Sequence, residues 1–252
     1  MNTDSVKTTL ITGGSCGIDR ATALLAATRG WSVAVNFLKD EGAVARTVAD
    51  DENAGARAVS IQGDVSIEAD IVAMFDSAEA SFGRLDGLVN NAGIVAPPLP
   101  LSEMSAERLR RMFTINVYGV YLCAREAARR LNSIDQKAGG AIVNVSSAAS
   151  RLGSPNEYVD YAGLKAAIDT LTIGLAKELG PRGVWVNAVR PGLIETDIHA
   201  SGGQPDRAER LGKTTPLGRP SDPKEVAEAI IWLLSDASSY VTGALLDVAA
   251  GR

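Results

Sequence analysis

Tyr161 and Lys165 stand four positions apart in Tyr161-Ala-Gly-Leu-Lys165, so on a helix they share one face. A phenol that titrates near 10 is a poor proton carrier at neutral pH. A neighbouring ammonium favours the phenolate and lowers that value, which suits general acid–base chemistry. Tyr158 does not compete for this task, because the residue four positions on is Ala162. The pair alone is a weak signal, since an ordinary surface pair on a helix looks the same. Polar residues elsewhere add weight. Asn90-Asn91-Ala92-Gly93 and Asn144-Val145-Ser146-Ser147 each close a short apolar run. Asn116 sits inside a helical stretch at a cost in propensity, which suggests a polar task. Asn90 and Asn91 would also serve simply to cap a strand end.

A second feature could hold a phosphate. The first apolar run ends in Thr12-Gly13-Gly14-Ser15-Cys16-Gly17-Ile18-Asp19, and a helical pattern begins directly after it. Glycines permit a tight turn and close approach of the backbone, while a helix N-terminus offers N–H groups and partial positive charge to a pyrophosphate. A plain glycine turn would look similar. The same residues fit the Gly-x-Ser-x-Gly elbow of a hydrolase, with Ser15 as nucleophile. That reading needs a later histidine, and His199 is the only one. No Gly-Lys-Ser/Thr follows, which excludes a P-loop. The second apolar run decides cofactor type. An NAD site usually places an acid about 20 residues beyond the glycines. Here the chain reads Asn36-Phe37-Leu38-Lys39, with no acid before Asp40. Lys39 could face a 2′-phosphate, so NADP is favoured over NAD.

These residues need a scaffold, and the apolar pattern supplies one. Strands are expected at Val6–Thr12, Ser32–Phe37, Arg57–Ile61, Gly87–Asn90, Ala141–Ser146, Val184–Val189 and Ala244–Val248. Helices are expected at Ile18–Arg29, Glu41–Asn53, Ile67–Phe82, about 105–131, Tyr161–Leu179 and Pro223–Leu234. Alternating strands and helices mean an α/β fold with a parallel sheet covered on both faces. Ligands of such sheets bind beyond the carboxyl ends of the strands, at the switch point. The 252 residues, 46% hydrophobic, suit one domain. A net charge of −5 argues against nucleic-acid binding. Arg108–Arg111, interspersed with Glu103 and Glu107, reads as a solvated helix face. Cys16 and Cys123 have neither disulfide nor metal-ligand spacing, so no metal is expected and a reducing cytoplasm is the simple setting. Neither a signal peptide nor an 18-residue apolar run is visible, so no membrane association is expected.

Taken together, the glycine turn, Asp64-Val65, Asn90-Asn-Ala-Gly93, Asn116, Ser147, Tyr161-x-x-x-Lys165 and Pro191-Gly192 resemble the short-chain dehydrogenase/reductase family over essentially the whole chain. The nearest look is to its 3-oxoacyl reductases and its glucose and polyol dehydrogenases. The resemblance implies a doubly wound Rossmann fold with a seven-stranded sheet, assembled as a tetramer or dimer. It implies an enzyme that interconverts a small carbonyl compound and its alcohol with NADP(H) or NAD(H). Tyr161 would be the acid in reduction and the base in oxidation. Lys165 would lower its pKa and hold the nicotinamide ribose. Ser147, preferred over Ser146, would orient the substrate oxygen, and Asn116 would help hold a proton path. Cofactor contacts would come from Gly13, Ser15, Cys16, Gly17, Ile18, Asn36 and Lys39 around the turn and second strand. Asp64 and Val65 would meet the adenine, and Asn91, Ala92 and Gly93 its ribose pocket. Pro191, Gly192, Ile194 and Thr196 would flank the nicotinamide amide and phosphates.

The chain also departs from the family pattern. Asp19 replaces the last glycine of the turn, and Cys16 stands where NADP-using relatives often carry a basic residue. Both should weaken cofactor binding, and the departure keeps open an alternative: a binding or regulatory Rossmann protein with weakened catalysis. Leu164, where relatives commonly carry a small residue, has no reading. The segment from about Leu193 to Pro216 would cover the substrate as a loop, lined with Leu152, Tyr158 and His199. Arg129-Arg130 could contribute a docking patch for an acyl carrier. The last strand would pack at a subunit interface.

Overall fold

The computed structural model describes residues 6–13, 17–131 and 139–252. Seven parallel strands form one sheet in the order β3-β2-β1-β4-β5-β6-β7. They are β1 Thr8–Ile11, β2 Ser32–Phe37, β3 Ala58–Gln62, β4 Gly87–Asn90, β5 Gly140–Val145, β6 Val184–Pro191 and β7 Leu245–Val248. The chain lays down β1, β2 and β3 towards one edge, then returns to place β4 on the other side of β1. That reversal puts the switch point between β1 and β4, where Thr9 pairs with Gly87 and Ile11 with Val89. The architecture is the doubly wound Rossmann fold.

Alternate side chains of each strand feed opposite faces of the sheet. Leu10, Ala34, Leu88 and Ile142 join one core, with Phe75 of helix α3 (Glu68–Phe82) and Leu122 of helix α5 (Gly119–Arg130). Ile11, Val33, Val35, Val89 and Val143 join the other. There they meet Ala23 of helix α1 (Gly17–Thr28), Val44 of helix α2 (Glu41–Asn53) and Ile230 of helix α10 (Pro223–Leu234). Strands buried on both faces explain why their sequences read as unbroken apolar runs. Side-chain caps start two of the helices. The Asp40 side chain accepts from the Ala43 N–H at 2.8 Å to cap α2. Asp222 and Glu225 form a reciprocal capping box on α10.

The expected long helix at 105–131 is not continuous. It is helix α4 (Ala106–Phe113), a π turn (Thr114–Tyr118) and α5. Asn116 accounts for the interruption: its Nδ2 donates to the Met112 carbonyl at 2.9 Å, and its Oδ1 accepts from the Ile94 N–H at 3.0 Å. The expected helix at Tyr161 begins two residues earlier, as α7 (Val159–Leu179), preceded by the short helix α6 (Ala149–Leu152). The expected loop before Pro216 contains two short helices, α8 (Ile198–Ser201) and α9 (Arg207–Gly212). Arg207 pairs with Glu157 at 2.8 Å and covers the Tyr158 ring, which is therefore buried rather than free to line a pocket. No helix among the described residues is long and apolar enough to cross a membrane.

Arg108 corrects the reading of a solvated face. Its Nε meets Asp160 Oδ2 at 2.9 Å in a largely buried pair, and its Nη1 donates to the Pro97 carbonyl. Arg129 and Arg130 are likewise engaged, with Glu126, and Arg130 also with Asp76 at 2.6 Å. They do not form an open basic patch.

Asp51 on α2 is fully buried, and neither carboxylate oxygen accepts a hydrogen bond from a described residue. Burial, with Asp50 adding to it, raises its pKa from 3.8 to about 7 against a smaller opposing pull from Arg20. Protonation therefore stabilises the folded chain, and that contribution is lost as pH rises from about 4 through about 7. Asp51→Asn is expected to raise stability at pH 8 by roughly 2 kcal/mol and to flatten this decline in denaturant titrations. An unchanged pH dependence would contradict the assignment.

Candidate functional site

The carboxyl ends of β1, β4, β5 and β6 converge on one rim beside the switch point. At β1, the turn is held against the loop after β4 by Thr12. Its hydroxyl donates to the Val89 carbonyl at 3.3 Å and accepts from the N–H groups of Asn91 and Ala92, each at 3.1 Å. Gly13 adopts a left-handed φ of +87°, and a Cβ there would lie 2.9 Å from Ala92 Cα, so only glycine fits. Ser15 and Cys16 lie outside the described residues, as does the side chain of His199. Gly17 and Ile18 open α1, and a Cβ on Gly17 would touch Thr196 at 3.0 Å. Thr196 thus stands against the start of that helix. Asp19 lies buried in the first turn of α1, where its Oδ1 accepts from the Arg20 N–H at 3.1 Å.

Asn36 is buried at the end of β2. It accepts from the Gly13 N–H at 3.3 Å and donates to the Gly63 carbonyl at 3.0 Å, tying the turn to the chain after β3. Lys39 is exposed just beyond. Asp40 is occupied as the α2 cap, so no free acid follows β2 at the place an NAD-type acid would occupy. Asp64 binds the N–H and hydroxyl of Ser66, at 2.8 and 2.7 Å, and orders the segment that carries Val65. A glycine-shaped cradle, the N-terminus of α1 and an exposed lysine in place of an acid fit a dinucleotide.

At β5 the two serines have different partners. Ser146 Oγ donates to the Lys165 carbonyl at 3.1 Å and is buried. Ser147 accepts from the Ala149 N–H at 3.1 Å, and its hydroxyl favours the charged form of the Tyr161 phenol. Lys165 is buried, donates from Nζ to the Val145 carbonyl at 2.7 Å, and lies 5.5 Å from the Tyr161 ring centre. The stretch between Ser147 and Tyr161 contains α6 and the left-handed residues Ser154 and Asn156.

Electrostatics differ from the expectation for the pair. Burial pushes the Tyr161 phenol up to about 12, and the Ser147 hydroxyl only partly offsets it. Burial also pulls Lys165 down to about 8, against the charge of Asp169. The phenol of the free protein is therefore fully protonated at neutral pH, and the ammonium titrates in the range where enzymes work.

Pro191 and Gly192 close the rim at β6. The Pro191 carbonyl accepts from the Ala148 N–H at 2.9 Å, and a Cβ on Gly192 would lie 2.8 Å from Ala249 Cα. Ile194 forms a bridge with Ser221. Residue types alone did not reveal Thr12 as the clasp or Arg108 as the bolt between α4 and α7. Thr12 carries a positional signal, at the end of a strand; Arg108 carries none, because its partner is 52 positions away.

Comparison with known proteins agrees with this architecture. A family model described as enoyl-(acyl carrier protein) reductase matches residues 13–252. The chain is 50% identical over 243 residues to an uncharacterised oxidoreductase of Escherichia coli, covering 96% of this chain and 98% of that one. It is 41% identical to cis-4-hydroxycyclohexanecarboxylate dehydrogenase of Sinomonas cyclohexanicum, covering 96% and 94%. The crystal structure of 3-ketoacyl-(acyl-carrier-protein) reductase from Brucella melitensis complexed with NADH superposes with a TM-score of 0.89 at 32% identity, covering 98% of both chains. This chain belongs to the short-chain dehydrogenase/reductase family. It is an oxidoreductase of alcohol and carbonyl groups that uses a nicotinamide cofactor.

Asn116 and Gly93 depend on each other, since a Cβ on Gly93 would stand 2.6 Å from Asn116 Oδ1. Gly93→Ala is expected to break the Asn116 contact with Ile94, lowering Tm by several degrees and turnover by about tenfold or more. Thermal melts and initial rates on the same preparation check it; unchanged values would show that the rim loop yields freely.

Proposed function

We propose that this chain catalyses reversible reduction of a small carbonyl compound to its alcohol, with NADP(H) favoured over NAD(H). The observation that carries the reading is the Tyr161 phenol beside the buried side chain of Lys165 and near the Ser147 hydroxyl, at the rim next to the switch point. The cofactor supplies the hydride when bound. Tyr161 passes its proton to the nascent alkoxide in reduction and retrieves it in oxidation. Ser147 orients the substrate oxygen, and Lys165 stabilises the phenolate that is left. Asn116 anchors the rim loop and helps hold the proton path. Gly13, Gly17, Ile18 and Asn36 shape the cradle, with Ser15 and Cys16 between them. Asp64, Val65, Asn91, Ala92 and Gly93 line the adenosine side. Pro191, Gly192, Ile194 and Thr196 line the nicotinamide side. The absence of an acid after β2 and the exposure of Lys39 support NADP.

The reading includes a cytoplasmic setting, supported by the buried free thiol of Cys123. It also includes a homodimer or homotetramer. Phe113, Tyr118 and Tyr121 are exposed around an apolar groove of about 940 Å³ on α4, α5 and α7, which a second copy would cover. Light scattering that returns a monomer would remove this part.

A screen of aldehydes, ketones, sugars and cyclic alcohols with NADPH and NADH, followed by absorbance of the reduced cofactor, tests the activity. With the best substrate, Tyr161→Phe is expected to lose about 10³-fold in kcat and Ser147→Ala at least about tenfold. Ser146→Ala should act mainly on Tm. Full activity in Tyr161→Phe would sink the assignment. In the first turn of α1, Asp19 opposes a bound phosphate. Asp19→Gly should tighten NADPH about tenfold, or ~1.4 kcal/mol. Equal dissociation constants in a titration would refute that penalty.

A further inference from the structure

An ammonium buried as Lys165 is requires a nearby anion. Asp169 stands one turn further along α7 on the same face, and its charge opposes the effect of burial on Lys165. Asp169 is itself held from β6. Arg190 donates from Nε at 3.1 Å and from Nη2 at 2.8 Å, both to Oδ2. A saturating fork would use both carboxylate oxygens. Here Oδ1 is buried and accepts no hydrogen bond from a described residue. The carboxylate is gripped by one oxygen and leaves the other uncommitted.

Several charges on the elements packed against α7 are engaged elsewhere. Arg108 of α4 is paired with Asp160, Arg151 of α6 with Asp247 at 3.2 Å, and Glu126 of α5 with its neighbouring arginines. Arg182 donates to the Ala128 and Leu131 carbonyls. The π turn brings only the Tyr118 phenol, and β5 carries no ionisable side chain.

We propose that Asp169 and Arg190 form a positioning unit for this site: the pair fastens α7 to β6, and its carboxylate is the counter-anion of the buried Lys165 ammonium. The inference rests on the proposed role of Lys165 beside Tyr161. Arg190 sets the strength of the unit, since its own positive charge is partly shared with Asp247 at 3.8 Å. Removing the two partners should therefore move Lys165 in opposite directions.

The test is a pH titration of cofactor-free protein labelled with carbon-13 lysine, the Lys165 Cε resonance being assigned by its loss in Lys165→Met. Asp169→Asn is expected to lower the Lys165 midpoint by about one pH unit. Arg190→Gln, which keeps the carboxylate and removes its neutralising partner, should raise it. Asp169→Glu should restore most of the original value. In turnover, the alkaline limb of kcat should move with the midpoint in each variant. Unchanged midpoints, or shifts in the same direction in Asp169→Asn and Arg190→Gln, would overturn the proposal and leave the pair a structural tie. If Asp169→Asn does not fold, Arg190→Gln and Asp169→Glu still decide the sign. The lysine titration needs no substrate. Its outcome is therefore separable from the Tyr161→Phe result, on which the catalytic reading stands.

Discussion

Two hydrogen bonds join the end of β5 to the middle of α7. Lys165 Nζ donates to the Val145 carbonyl at 2.7 Å, and Ser146 Oγ donates back to the Lys165 carbonyl at 3.1 Å. One residue of the helix is thereby held at its side chain by the last residue of the strand and at its backbone by the residue that follows. This join fixes the height of α7 against the sheet, and so sets where Tyr161, one turn earlier, meets Ser147, one residue later. It requires an ammonium in a buried place, where the charged form is disfavoured and Lys165 falls to about 8. The helix is secured again at its first turn by Asp160, whose carboxylate takes Arg108 from α4 and the Tyr161 N–H at 2.8 Å.

Asparagines do much of the remaining work at the sheet's carboxyl ends. Asn90 Nδ2 donates to Asn144 Oδ1 at 2.9 Å, and Asn144 donates onward to Thr172 Oγ1 at 2.9 Å. Asn36 connects the glycine turn to Gly63, and Asn116 connects a helix to the loop after β4. An amide both donates and accepts, so it can bridge two backbone segments without introducing charge. These neutral polar ties join the strand ends of the rim without adding charge to it.

Much of this was legible in the sequence because it is local or periodic. The apolar runs of β2 and β4, the caps at Asp40 and Asp222 and the turn at Gly13 each depend on neighbours a few positions away. The π turn was not legible, since a widened turn shifts the helical phase by one residue and leaves the apolar pattern nearly intact. Arg108 reads as a surface residue because basic and acidic side chains alternate around it, while its partner lies far along the chain. The spacing of Tyr161 and Lys165 shows a shared face but not its burial. Spacing therefore leads to a phenol lowered by its neighbour, whereas burial raises it to about 12. Distance in sequence and depth in the fold are what composition and period do not encode.

The Thr12 hydroxyl also limits which parts of the rim can move. One oxygen holds β1's end, the Val89 carbonyl and two N–H groups of the following loop together. Thr12, at the start of the glycine turn, is thus tied to the loop that carries Asn91 and Ala92. The segment with α8 and α9 is tied down differently, by Arg207, which pairs with Glu157 and covers the Tyr158 ring. One side of the rim is thus closed by backbone hydrogen bonds to a single hydroxyl, the other by a guanidinium that joins a carboxylate to a ring.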